Sequence, residues 1–254
     1  MSWQFGTFVG ISVGVILTTI GVVAAAAFFQ RISGFGFSLM ATPLLTLVMP
    51  VSKAVVALGL VSIPNMILNW REFGPKADKK QVRWITAWAV PAMPLGLYLL
   101  VVLPDRALKV GVSICVIVAA LLLSARIQIP SNRTRLVDGI AGFISGLLNT
   151  STGTNGPPLV FTFSGQNLEP DRTRGSLAYV FGWSNVVGIA LFAAKGLITK
   201  ETLVLALASL PGILVGRKLA KPIADRLSPE NFRRIAIATL VVTGIVGIVK
   251  ALVS

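Results

Sequence analysis

Residues 149–158 read Asn149-Thr150-Ser151-Thr152-Gly153-Thr154-Asn155-Gly156-Pro157-Pro158. The first eight are all small or polar, and they sit between two apolar runs, 136–149 and 156–165. A bilayer span takes about 20 apolar residues to cover roughly 30 Å of hydrocarbon, so neither run is expected to cross as a straight helix. The rest of the chain says what solvent surrounds this stretch. Of its 254 residues 54% are apolar and only 13% charged, with a mean hydropathy of +0.82. A soluble domain of this length needs far more charge on its surface. The chain therefore reads as a polytopic protein of the cell membrane. There, non-helical backbone is tolerated only where protein or a water-filled cavity satisfies it.

Working outward, apolar runs between polar or Gly/Pro breaks give ten elements: 7–29, 37–49, 53–70, 83–103, 107–124, 136–149, 156–165, 174–195, 201–217 and 233–252. The second, sixth and seventh are short. A second polar corner, Gln30-Arg31-Ile32-Ser33-Gly34-Phe35-Gly36-Phe37-Ser38, leads into the second. No Lys or Arg precedes the first run, so it reads as a retained helix and not a cleaved signal.

The 23 Lys and Arg outnumber the nine Asp and Glu, for a net charge of +14. In a soluble protein this would suggest nucleic acid; here most of the basic residues fall in segments 71–83, 125–135, 172–174 and 217–234, which is how a membrane protein sets its orientation. No nucleic-acid partner is expected. All four segments fit on the cytoplasmic side if each short pair enters and leaves on one side. The chain then divides into a first membrane repeat, 1–125, a cytoplasmic linker, 126–135, and a second repeat, 136–254. The expected fold is all-α, with two inverted-topology repeats, each a re-entrant or broken-helix hairpin followed by three transmembrane helices. Pattern agrees: Gly34-Phe35-Gly36 before Pro43 echoes Gly153–Gly156 before Pro157, and Pro91/Pro94-Leu95-Gly96 echoes Pro211-Gly212 through Gly216. Inverted repeats with broken helices are a transporter design whose site lies near the midplane.

The chemistry available at the corners is that of anion binding. A helix start offers unpaired N–H groups and a partial positive charge, and glycines admit an anion close to the backbone. Pro157 suits a first helical turn, where its missing N–H costs least. Candidate contacts are Arg31, Ser33, Gly34, Gly36 and Ser38 at the first corner, and Asn149, Thr150, Ser151, Thr152, Gly153, Thr154, Asn155 and Gly156 at the second. Asn65 and Asn185 sit at similar depth in the third and eighth elements. Each has a plainer reading beside it. Small residues also serve close helix packing. Arg31 either has a role at depth or ends a full-length first helix and snorkels. Asn65, Asn69, Ser184 and Asn185 either line a path or bond neighbouring helices.

Absences narrow the classes further. The chain has no histidine, and Cys115 is its single cysteine, so no disulfide, metal site or cofactor is expected. None of the nine acidic residues lies well inside an expected span, which argues against a buried proton relay and a carboxylate-lined cation path. The expected partners are a small anionic substrate and membrane lipid, with a homodimer left open.

At these same residues the sequence resembles the TauE/SafE family, the sulfite exporter or toluene-sulfonate uptake permeases. The matching features are Ser33-Gly34-Phe35-Gly36 with Pro43-Leu44-Leu45, and Thr152-Gly153-Thr154-Asn155-Gly156-Pro157-Pro158-Leu159-Val160. Downstream, Asp171-Arg172-Thr173-Arg174-Gly175, Leu210-Pro211-Gly212 through Gly216, and Asn231-Phe232-Arg233-Arg234 also match. Phe37-Ser38 and Thr154-Asn155 stand where glycine is common in the family. The resemblance implies a non-enzymatic transporter of sulfite, sulfoacetate, other sulfonates or thiosulfate, its members working in either direction; export is the expected direction here because a negative interior drives an anion outward. Two alternatives stand beside it: an anion channel, and a membrane-embedded enzyme acting on a lipid phosphate, which would need a general base or metal ligands at the corners.

Overall fold

The computed structural model describes residues 7–8, 10–33, 35–124, 129–130, 134–166, 169–224, 241 and 245. Nine helices are described: α1 (Val13–Ser33), α2 (Phe37–Leu45), α3 (Val51–Phe73), α4 (Lys79–Val102), α5 (Asp105–Ser124), α6 (Thr134–Ser151), α7 (Gly156–Gly165), α8 (Pro170–Ala194) and α9 (Lys200–Ala224). Ahead of α1, Thr7–Phe8 and Ile11–Ser12 pair as a two-residue antiparallel ladder. Five helices, α1, α3, α4, α8 and α9, are long and apolar enough to cross a membrane. The chain is a multi-pass, helical membrane protein. Gly34, the basic stretch 226–234 and the expected tenth element, Val241 and Ile245 apart, lie outside the described residues.

Several boundaries differ from the sequence reading, because polar residues at the end of an apolar run can stay helical. The first helix starts later, at Val13, and carries Arg31 in its last turn. α6 runs 18 residues, about 27 Å at 1.5 Å per residue, so it is longer than its apolar core suggests. Asn149, Thr150 and Ser151 belong to its last turn rather than to an irregular corner. The Ser151 and Thr152 hydroxyls donate back to the carbonyls of Leu147 (2.8 Å) and Leu148 (3.2 Å), local bonding open to Ser and Thr at a helix end. α9 likewise continues through Arg217, Lys218 and Lys221, which the charge pattern alone places in a loop.

Glycines decide which helices touch most closely. A Cβ on Gly142, Gly146 or Gly96 would lie 2.4, 2.0 and 2.1 Å from the carbonyl oxygens of Ile85, Ala89 and Leu147, locking α6 against α4. On α9, Gly212 and Gly216 approach the Ile20 and Ala24 carbonyls of α1 in the same way (2.8 and 2.1 Å). Small residues permit this close backbone approach within a membrane. α3 packs on α8 between these two pairs.

Each short helix folds back on the one before it. Ile11, beside the start of α1, shares an apolar cluster with Leu45 at the end of α2 and Met49 in the turn after it. The start of α6 meets the end of α7 where Gln166 donates to Asp138 (2.7 Å). Charged residues gather at two opposite ends. One holds the pairs Arg31–Glu72, Lys76–Asp171 and Arg172–Asp78; the other holds Lys53–Glu201 and Lys109–Asp105.

Candidate functional site

The first corner delivers a helix start with its donors free. Gly36 caps α2 with φ 95°, a left-handed backbone that favours glycine. The first intrahelical bond is Met40 N–H to the Gly36 carbonyl (3.0 Å). The N–H groups of Phe37, Ser38 and Leu39 therefore have no partner within the helix.

The second corner is built differently. Gly153, at φ 69°, turns the chain against Thr42 of α2 and Val55 of α3. Ser145 donates to the Asn155 carbonyl (2.9 Å) and pins the return. Pro157 and Pro158 then follow Gly156. Prolines carry no N–H, so Gly156 is the sole backbone donor among the first three residues of α7. The two helix starts are thus unequal: α2 offers backbone N–H groups, and the α7 corner offers mainly the Asn155 side chain.

Between these corners lies a cavity of about 60 Å³. At about 10–15 Å³ for a water-sized site, it has room for a few waters or one small oxyanion. Gln30, Gly36, Phe37 and Ser38 line it from the first corner, Ser62, Asn65, Met66 and Asn69 from α3, Asn149, Asn155 and Gly156 from the second corner, and Phe181 and Asn185 from α8. Five of the eight asparagines in the chain meet here, and none of the described lining residues carries a formal charge.

The amides hold one another in place. Asn155 Nδ2 donates to Asn149 Oδ1 (2.9 Å), and Asn149 Nδ2 to the Ser184 carbonyl (3.1 Å). Asn185 Nδ2 donates to the Gly59 carbonyl (3.1 Å), and Asn65 Nδ2 to Gln30. Such amides keep a second hydrogen free. The Asn69 amide nitrogen donates to no described residue.

Of the residues singled out from sequence, Gly36, Ser38, Asn65, Asn69, Asn149, Asn155, Gly156 and Asn185 are brought together around this cavity, whereas Ser184 is not in its lining and its carbonyl accepts from Asn149. Arg31 is not among its lining. It pairs with Glu72 and stacks over the Phe73 ring. Thr150, Ser151, Thr152, Gly153 and Thr154 also lie outside the lining: Thr150 donates to the Met93 carbonyl (2.6 Å), and Thr152 and Thr154 bond each other (2.7 Å). They build the corner instead of facing the space. Gly34 and the side chain of Ser33 lie outside the described residues.

Sequence reasoning missed Gln30, Ser62 and above all Arg217. On α9, Arg217 Nη1 donates to both Asn65 Oδ1 (2.9 Å) and Asn69 Oδ1 (2.7 Å), and its side chain is only 12% exposed. The signal was Gly216 beside it, which marks a helix pressed against its neighbour. Asp138 is a second omission: it is buried, 4% exposed, with the Gln81 and Gln166 amides donating to it. Its place so near the start of an apolar run concealed this.

Comparison with known proteins gives this geometry its context. The model of the family described as Sulfite exporter TauE/SafE matches residues 19–247. A curated relative from Cupriavidus necator, the "Probable sulfite/organosulfonate exporter TauE", is 24% identical over 241 residues, covering 88% of this chain and 90% of the relative. No solved structure matches the chain. The matched region takes in both corners, all five cavity asparagines and Arg217, and the chain belongs to the TauE/SafE family of membrane transporters.

Proposed function

We propose that this protein exports a small sulfur-containing or organic oxyanion, such as sulfite or a short sulfonate, bound in the amide-lined cavity between the two corners. The observation that carries the reading is the convergence of five asparagine amides and the free N–H groups of α2 on one uncharged space. Hydrogen bonds to an ionised acceptor are roughly twice as strong as neutral ones. A donor-rich site without lining charge therefore favours an anion over a neutral solute or a cation. The relative's printed name, a sulfite/organosulfonate exporter, suggests the substrate class. Outward movement needs no other energy source: a negative interior drives an anion out by about 2.3 kcal/mol per charge per 100 mV.

The two halves, 1–125 and 136–254, act on this reading as inverted repeats around the cavity. Helix pairing supports the symmetry. Matching α1 with α6 and α4 with α9 exchanges the close pairs α1·α9 and α6·α4, while α3·α8 maps onto itself. Gly96 and Gly216 correspond under this exchange, and each would place a Cβ 2.1 Å from a carbonyl of the other half's first helix. The end rich in basic residues is the cytoplasmic one.

Purified protein on a solid-supported membrane, challenged with sulfite, thiosulfate, sulfoacetate and small carboxylates, tests the proposal. Transport current is expected for one sulfur-oxyanion class and is lost in Asn69→Ala and Asn155→Ala. If neither current nor labelled flux appears for any of these anions, the reading fails.

A further inference from the structure

Ser62, Asn65, Asn69 and Glu72 are spaced three or four residues apart, so they share one face of α3. The first three line the cavity. Glu72 stands in the last helical turn, at the end where basic residues gather. There it lies between two arginines from different helices. Arg31 of α1 pairs with Glu72 Oε1, and Arg217 Nη2 of α9 reaches Glu72 Oε2 at 3.3 Å. The other nitrogen of Arg217 holds Asn65 and Asn69 by their oxygens. One guanidinium thus connects the cavity wall to the ion pair. Arg174 of α8 closes the remaining side over Phe73, with a bond to the Ile32 carbonyl (3.1 Å). An arginine held this far from water is costly and usually has a role, and here its charge exceeds what one carboxylate neutralises.

We propose that Arg31, Glu72 and Arg217 form the gate between the cavity and the cytoplasm, with the Glu72 carboxylate acting as an internal stand-in for the anionic substrate. The inference rests on the anion-transport reading and adds its gating residues. With the gate closed, Glu72 occupies both arginines. An incoming sulfonate or sulfite competes for the Arg217 edge, displaces Glu72 and passes to Asn69 and Asn65, whose amide hydrogens Arg217 orients by taking their oxygens. Asn69, with its nitrogen unclaimed by any described residue, is the first free donor inside. Arg217 is a positioning residue for the cavity and a direct contact only at the gate.

The test reads access to the cavity without relying on a transported substrate. Ser62→Cys is combined with Cys115→Ser, and inside-out vesicles are treated with a membrane-impermeant methanethiosulfonate carrying a sulfonate, then with its trimethylammonium counterpart. The sulfonate reagent is expected to react faster in this background. Glu72→Gln is expected to speed it by a further factor of about ten, the low end of what focused charge does to encounter rates, and to slow the ammonium reagent. Arg217→Gln is expected to abolish the preference, while Arg217→Lys, which keeps the charge but loses the fork, retains it in weakened form. Equal rates for both reagents, rates unmoved by Glu72→Gln, or no reaction in any variant would overturn the gate. If the preference appears while no sulfur oxyanion is transported, the substrate assignment fails and the gate stands. Transport in the wild type with no preference does the reverse: the gate fails and the substrate assignment stands.

Discussion

Replacing Ser38 by aspartate separates a binding site from a packing site, because the two readings give opposite signs. Ser38 is the second residue of α2, half-buried, and lines the cavity. A carboxylate in the first turn of a helix meets unpaired N–H groups and the positive end of the dipole, a stabilisation of about 0.3–1 kcal/mol. The fold is therefore expected to hold its melting temperature or gain slightly. Transport is expected to fail. A cavity of about 60 Å³ forces a bound anion close to its walls. Two unit negative charges about 4 Å apart repel by about 4 kcal/mol at an effective dielectric near 20. That is close to three orders of magnitude in affinity. Ser38→Ala, which removes one hydroxyl donor to a charged ligand, is expected to cost about 1.5–3 kcal/mol, roughly one to two orders of magnitude. Scanning fluorimetry in detergent and concentration-dependent current on a solid-supported membrane give the two readouts. A Ser38→Asp protein with a KM within threefold of wild type would refute an anion at this wall. Loss of stability and transport together would point to packing alone.

Two further substitutions test the scaffold. Gly146→Ala places a methyl 2.0 Å from the Ala89 carbonyl, so α6 must retreat from α4, at a cost of about 1–3 kcal/mol for overpacking. Retreat also breaks the Thr150–Met93 bond between these helices and moves the adjacent Asn149 at the cavity, so melting temperature and transport should fall together. Gly21→Ala, which meets nothing within 4 Å, serves as the control and is expected to be neutral or mildly stabilising. Asp78 caps α4 through the N–H groups of Lys80 and Gln81, and Asp78→Ala is expected to cost about 1 kcal/mol with KM unchanged. Burial pushes this carboxyl up, but those N–H groups and the Arg172 guanidinium outweigh it and hold it below the usual range. A depressed folded pKa means the stabilisation is present above the unfolded value, near 3.9, and is lost as pH falls below it. The difference between Asp78→Ala and wild type in melting temperature should therefore be constant from pH 6 to 8 and shrink in acid.

Apolar run length and the clustering of Lys and Arg made the helical membrane character legible, since both follow from one constraint, the cost of polar groups in hydrocarbon. The corners were legible because so many polar residues in an apolar chain call for a reason. Which of them face the cavity was not. Thr150, Thr152 and Thr154 look like Asn149 and Asn155 in one dimension, and differ only in which way the end of α6 and the non-helical corner after it carry them. Arg217 was hidden for a related reason. A basic residue beside Lys218 and Lys221 reads as loop, yet α9 continues to Ala224 and turns Arg217 inward to Asn65 and Asn69. Asn65 and Asn185 stand out as pathway candidates by their polarity inside apolar helices. Their side chains also carry the interhelical bonds of the plainer reading, to Gln30 and to the Gly59 carbonyl. The two readings are not exclusive, because an amide can spend one hydrogen on a neighbour and keep one for a ligand.

That division of labour explains why the proposed site uses asparagines and keeps its arginine one step back. A transport site must bind well enough to admit the ion and weakly enough to release it. An arginine in direct contact with an oxyanion in a low-dielectric cavity would make a bidentate, charge-assisted pair, and a strong pair is slow to part. Arg217 instead bonds the oxygens of Asn65 and Asn69, polarising their amides toward the cavity while its charge lowers the cost of holding an anion nearby. The donors also arrive from several directions: α2, α3, the α7 corner and α8. A planar carboxylate presents two oxygens and can satisfy only part of such a ring, whereas a sulfonate or sulfite presents three around one sulfur. Discrimination against a group with one oxygen fewer then comes from donors left unpaired, the kind of loss that buried polar sites penalise most. On this reasoning selectivity among anions resides in Asn69, Asn155, Asn185 and the start of α2, and the rate of admission in Glu72 and its two arginines.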